Sequence, residues 1–343
     1  MTAIVSAPAV GRRARIRRRR AAVLVLAGLV AVMFAVALMV GDTVYSPAEV
    51  VRVVLGQTVP GASFTVGELR LPRAVEGVLT GAAFGLGGVA FQTMLRNPLA
   101  APDVIGISSG ASAAAVLGIV VLGLDAGATS LLAVAAALVV AGAILLLSYR
   151  GGIADTRLIL IGIGVAAMLE SVVAAVLLRA ANTDLQVVMR WLTGSLNNAS
   201  WEQLTPVALA LLVAAPVLGV QSRGLGLLRL GDDGAAALGV RVQRVRILSV
   251  VAAVGLVAFA TAAAGPIAFV AFLAGPIAAR VVGPGASLLL PSALTGALLV
   301  LVADFAGETL LGTRYPVGVV TGALGAPFLL WLLVRTNRAG GAL

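Results

Sequence analysis

The chain has 343 residues, 60% of them hydrophobic and only 11% charged, where an ordinary soluble domain carries roughly 25% charged residues. Cys and His are both missing, which excludes disulfides, thiolate ligation and the usual general base at neutral pH. All 24 basic residues are Arg. A standard P-loop ATPase needs a Lys to reach the phosphates, so any ATP that drives this chain is hydrolysed by another subunit.

Apolar runs of about 20 residues recur along the chain, each long enough to cross a hydrocarbon core about 30 Å thick. Runs as unbroken as Ala21–Val40 and Leu131–Leu147 read as helices, since barrel strands would alternate. The net charge of +10 is concentrated in Arg12–Arg20, directly before the first apolar run. It reads as a cytoplasmic anchor and not as a nucleic-acid patch. The run that follows is too long for a signal peptide and has no convincing A-x-A site after it, so it reads as a retained first helix.

In chain order, helices are expected at 21–40, 71–94, 104–123, 128–149, 156–179, 202–221, 243–264, 267–282, 288–306 and 317–334. The eighth is short and interrupted by Pro266 and Pro276, as discontinuous membrane helices are. The expectation is an all-α polytopic membrane protein with about ten transmembrane helices and both termini cytoplasmic. That layout leaves Arg52, Arg70, Arg73, Arg179, Arg190 and Arg314 outside and the other eighteen Arg residues inside, the bias expected of cytoplasmic loops. Residues 1–20 form a basic cytoplasmic segment, 21–335 one transmembrane domain and 336–343 a cytoplasmic tail. The longest polar stretches, 41–70, 180–201 and 222–242, are too short for a further domain.

Four clusters stand out. Gly77, Gly81 and Gly85 fall on one face of the second helix, where a neighbouring backbone can approach closely; this serves plain packing, and also sliding or tilting in a gated transporter. After that helix come Gln92 and the turn Arg96-Asn97-Pro98-Leu99-Ala100-Ala101-Pro102-Asp103, whose two prolines make a rigid inner-face loop, either purely structural or part of a gate. The inner segment 230–240 carries Asp232 and Asp233 where they suit a helix N-terminus and Gly239 where it suits a C-terminal stop. With Gly231, Ala236 and Leu238 it makes a short surface helix between the sixth and seventh spans, either a docking knob for a cytoplasmic partner or a capped loop. On the outside, Arg70 and Arg73 flank Leu71-Pro72 at the mouth of the second helix. They could receive carboxylates of an external partner or snorkel at the interface. Glu170 lies mid-helix and Asp304 near a helix end. Intramembrane acids are functional candidates, yet two isolated acids without His or Lys make a thin proton relay.

Taken in this order, the motifs resemble the permease subunits of ATP-binding-cassette importers for iron–siderophore complexes and cobalamin. The resemblance runs from about residue 44 to 338. It rests on L-R-L-P-R (69–73), F-Q-T-M-L-R-N-P-L-A-A-P-D-V-I-G (91–106), I-G-I-G-V (161–165), G-S-L (194–196), G-D-D-G-A-A-A-L-G-V (231–240), A-G-P-I-A-F-V (264–270) and Y-P-V-G-V-V-T-G-A-L-G-A-P-F (315–328). Within that family the chain is most similar to ferric enterobactin permeases.

The resemblance implies a non-enzymatic permease in the cell membrane, without a cofactor. It would work with a second permease (a sister chain or a copy), two cytoplasmic ABC ATPase subunits and an extracytoplasmic substrate-binding protein, and a ferric siderophore, of catecholate type, would be the cargo. Segment 231–240 then matches the coupling helices, and Arg70 and Arg73 match the arginines that meet the binding protein. Membrane lipid surrounds the chain; nucleic acid is not a partner. Two departures from the family pattern are Gly275-Pro276-Ile277-Ala278-Ala279-Arg280, where P-H-I-x-R is common, and Glu308 with Arg314, which exchange the usual charges. They suggest a swapped Glu308–Arg314 ion pair. The competing class is a secondary carrier that would transport on its own.

Overall fold

The computed structural model describes residues 6–102, 106–149, 155–283 and 287–339. Its helices are α1 (Ser6–Met39), α2 (Pro47–Val54), α3 (Leu71–Met94), α4 (Ile107–Val120), α5 (Ala126–Ser148), α6 (Asp155–Leu177), α7 (Asn182–Thr193), α8 (Trp201–Leu228), α9 (Asp232–Ala237), α10 (Val242–Ala264), α11 (Val270–Val282), α12 (Leu289–Thr309) and α13 (Val317–Ala339). A π-helical turn, Ser63–Arg70, leads directly into α3. Among the described residues, seven helical segments are long and apolar enough to cross a membrane; α4, α11 and the Val317–Trp331 part of α13 are apolar but shorter. The protein is an all-α, multi-pass membrane protein.

Several boundaries differ from expectation. α1 starts at Ser6, so the basic run and the first span share one continuous helix. Arg has high helix propensity, so nothing breaks the helix there. α8 continues to Leu228, past the expected end at 221. Asp103 lies outside the described residues, and α4 begins only at Ile107 behind Gly106, whose φ of +75° sets the bend. Two amphipathic helices were not anticipated, α2 and α7. A signal for α2 was present: Ser46 and Glu49 form a reciprocal capping box before Pro47. The Ser46 hydroxyl and amide both donate to the Glu49 carboxylate, at 2.7 and 2.8 Å, and hold its carboxyl below the usual range.

α3 is the axis of the packing. It is surrounded by α8, α10, α11 and α12, while α1 lies outside against α12, and α4 joins α5 and α6 on the far side. Of the most apolar stretch of the α3 span 78% is buried, against 6% for α6, so α6 is left for lipid or for a partner. Burial among apolar helices gains little in lipid, where association relies on close van der Waals packing.

Glycines supply that closeness. A Cβ at Gly81 would sit 2.5 Å from the Gly296 carbonyl oxygen, and one at Gly85 would sit 2.2 Å from that of Ser292. Both obstacles are backbone atoms of α12, which cannot swing aside. Gly85→Ala must therefore separate α3 from α12 and is expected to cost about 1–3 kcal/mol, read as a lower thermal unfolding midpoint in detergent. Gly28→Ala on α1, where a Cβ meets nothing within 4 Å, should stay within about 0.5 kcal/mol.

Candidate functional site

One end of the bundle gathers the start of α1, the ends of α3, α8 and α11, and the starts of α10 and α12. α3 closes there with the Asn97 amide donating to the Gln92 carbonyl at 3.1 Å and with Arg96 at φ +52°, a left-handed position that usually takes Gly. Asn97 Oδ1 accepts from the Leu99 amide at 2.9 Å, and Pro98 prevents the helix from resuming. Gln92 is 7% exposed. Its Nε2 donates to the Phe272 carbonyl at 2.9 Å, the oxygen four residues before Pro276 that the proline leaves without its helical donor. Gly275 makes room for this contact, since a Cβ there would fall 1.9 Å from Gln92 Oε1. The interruption of α11 is thus repaired by α3. Pro102 ends the described part of the turn.

The segment 231–240 projects from the same end. Gly231 has φ +90°, and α9 runs from Asp232 to Ala237. Its exit places Gly239 at φ +82°, with the Gly239 and Val240 amides donating to the Ala236 and Ala235 carbonyls at 2.9 and 3.0 Å. This is the paired C-terminal bond pattern in which Gly avoids the Cβ penalty. Underneath, Ala235 is fully buried and Arg246, 4% exposed, holds Asp232 at 3.0 Å. On top, Asp233, Ala236 and Leu238 are exposed. Arg96 Nη1 lies 3.6 Å from the place a Cβ on Gly231 would occupy, so the turn after α3 lies beside the segment before α9, although 135 positions apart. The anchored base and the exposed apolar tip form a rigid knob.

At the opposite end the two mouth arginines are engaged within the chain. Arg70 donates to the carbonyls of Leu38 and Thr43 at 3.1 and 2.8 Å and lies over the Tyr45 ring at 5.3 Å. It closes the last turn of α1, where carbonyls lack helical donors. Arg73 grips Asp304 with two bonds of 2.8 and 2.9 Å, and its third nitrogen meets Glu308 at 3.0 Å.

The expected Glu308–Arg314 pair does not form. Glu308 stands one turn beyond Asp304 on the face of α12 that meets α3. Arg314 lies past the helix end and pairs with Asp42, both side chains being exposed.

Glu76, one turn from Arg73, was missed by the sequence reading. It is 1% exposed, and neither carboxyl oxygen has a hydrogen-bond partner. The spacing Arg73-Ala74-Val75-Glu76 was a usable signal, since residues three apart share a helix face. Glu170, by contrast, is exposed on α6 and lines a cavity of about 330 Å³ with Ser108, Ser109 and Ser112. Among the described residues, no cluster of acids could hold a metal ion.

The described helices thus form a glycine-packed membrane bundle with a clamped knob at one end and a buried ion cluster at the other. Residues 29–335 match the FecCD transport family. The chain is 40% identical over 322 residues to the achromobactin transport system permease protein CbrC of Dickeya dadantii, covering 93% of this chain and 91% of that protein. It is 39% identical over 302 residues to the ferric enterobactin transport system permease protein FepG of Escherichia coli, covering 87% and 91%. A metal-chelate type ABC transporter in an inward-facing conformation superposes with a TM-score of 0.82 at 26% identity, over 91% of this chain and 98% of that one. The chain belongs to the FecCD transport family. It is a transport subunit and not an enzyme.

The Arg73–Asp304 contact carries a stability prediction. Both side chains are mostly buried, at 17% and 11% exposure, so removing one partner strands a charge. Arg73→Ala should cost about 3–5 kcal/mol, seen as a lower thermal unfolding midpoint. The double variant Arg73→Met/Asp304→Leu should be more stable than that single variant.

Proposed function

We propose that this chain is the permease subunit of an ATP-binding-cassette importer that carries an iron–siderophore complex, of catecholate type, across the cytoplasmic membrane. The cargo is inferred from the printed functions of relatives such as the achromobactin and ferric enterobactin permeases. Two ATPase subunits, a second permease and an external binding protein complete the assembly. The single transmembrane domain crosses the membrane ten times with both termini inside, which puts the Arg-rich end in the cytoplasm.

The observation that carries this reading is the knob at α9. A six-residue helix with an exposed Leu238, 61% accessible, is held rigid from below by a buried Arg and stands beyond the span ends. It has the shape of an element that is pushed. Gly231, Asp232 and Gly239 fix its geometry, while Asp233, Ala236 and Leu238 meet the ATPase. Through Arg96 its movement reaches the turn Asn97–Pro102, and through Gln92 it reaches the proline-broken α11, the inner gate.

Glu170 supports the place of the path. Charged side chains at mid-span avoid lipid and face a water-filled cavity or another protein. α6 is the least buried candidate span, so it lines the route between two permeases. At the outer end, Arg73 receives a carboxylate of the binding protein in exchange for Glu308, the more exposed of its two partners at 31% against 11% for Asp304, while Arg70 steadies the mouth.

Two measurements test this reading. Replacing residues 231–239 with a flexible linker should abolish ATP-driven uptake of the ferric siderophore while the external protein still captures it; continued uptake would remove the coupling assignment. Glu308→Gln frees one arm of Arg73 and should tighten docking of the binding protein several-fold, an expectation that unchanged docking would defeat.

A further inference from the structure

We propose that the inner end of α12 is flanked by a binding site for an anionic phospholipid, with the headgroup phosphate held by Arg223 and Arg229 on one side and by Arg19 and Arg20 on the other. The proposal rests on the orientation given above, which places this end in the cytoplasmic leaflet.

Two clefts meet there. The first, about 620 Å³, opens where α3, α8 and the start of α12 come together, and it is lined by Ser222, Arg223, Arg229 and Ser287 above Val89, Leu225 and Leu289. The second, about 500 Å³, lies between α1 and α12, with Arg19 and Arg20 above Val23, Leu24, Leu290 and Pro291. Ser287 belongs to both, and its carbonyl accepts from Arg19 Nη2 at 2.7 Å. None of the described residues lining either cleft is acidic.

Four guanidinium groups around two adjoining clefts, without a carboxylate among the described lining residues, call for an anion. The volumes lie in the range of small-molecule sites. The chemistry is fixed by what lies next to the charges. Apolar residues line both clefts beside the arginines, and in the second, between α1 and α12, Leu24 and Leu290 remain 70% and 58% exposed. A free phosphate or a soluble protein would use only the rim, whereas a phospholipid uses both halves. Basic pockets between helices on the cytoplasmic side take phosphate headgroups in this way, and guanidinium matches phosphate with two parallel bonds. An occupant would bridge α1, α8 and α12 and hold Arg229, two positions before the knob's first glycine, so inner-leaflet composition would bear on how firmly α9 is seated.

The test uses the full chain purified in its assembly, equilibrated in nanodiscs of phosphatidylglycerol and phosphatidylethanolamine in equal amounts and extracted gently for native mass spectrometry. The native chain should retain phosphatidylglycerol over phosphatidylethanolamine. Arg223→Gln/Arg229→Gln should lower that retention by about fivefold per arginine, and Arg223→Lys/Arg229→Lys should largely restore it. Arg179→Gln/Arg190→Gln, at the opposite end, should leave retention unchanged. Equal retention of the two lipids by the native chain would overturn the site, as would unchanged retention in the Gln variants. Unchanged lipid retention with loss of the co-purifying ATPase would show a protein-docking surface, which also overturns it. Retention is read without transport. A chain that keeps phosphatidylglycerol yet carries no ferric siderophore would refute the transport reading and leave the lipid site standing.

Discussion

Backbone meets backbone where α3 crosses α12. Gly81 and Gly85 face Gly296 and the Ser292 carbonyl with no room for a methyl group, and the rest of the bundle is arranged around that crossing. In lipid there is no hydrophobic gain from hiding an apolar helix behind another. The closeness of two main chains has to supply the attraction. Once α3 and α12 are fixed, one end of the pair presents Arg73 to Asp304 and Glu308. At its other end α8 and α11 pack against α3. Glycine periodicity thus places the side chains at both ends of the pair.

At the end that carries α9 the same logic brings together motifs that are far apart in the chain. The proline in α11 deprives the Phe272 carbonyl of its donor, and Gln92 on α3 provides another. The turn after α3 accepts a left-handed Arg96, whose side chain lies beside Gly231. α9 is clamped by Arg246 from α10. These are local hydrogen bonds, an ion pair and close approaches that gather α3, α9, α10 and α11 at one end of the bundle.

The arginines divide into two working groups. Arg70, Arg73 and Arg246 are spent on carbonyls and carboxylates of the chain itself, where burial makes an unmet partner expensive. Arg19, Arg20, Arg223 and Arg229 line the two clefts beside apolar residues, Arg19 also donating to the Ser287 carbonyl. The absence of Lys sharpens this division, because guanidinium forms several directed bonds at once where an ammonium would act as a point charge.

What the sequence determined by itself follows from local chemistry. Unbroken apolar runs read as helices because the bilayer permits little else. Gly239 read as a helix stop because few other residues take its backbone angle without strain. The short helix at 232–237 was legible for the same reason, and the capping box at Ser46 would have disclosed α2 as readily. Tertiary structure alone decided the partners of the charges. Arg73 meets Asp304 across 231 positions, Glu308 turns to Arg73 and not to the nearby Arg314, and Gln92 finds the one carbonyl that Pro276 leaves open. Such pairings depend on which helix faces are brought together. One face is chosen by where backbones can touch, a property of two helices jointly that neither segment carries alone.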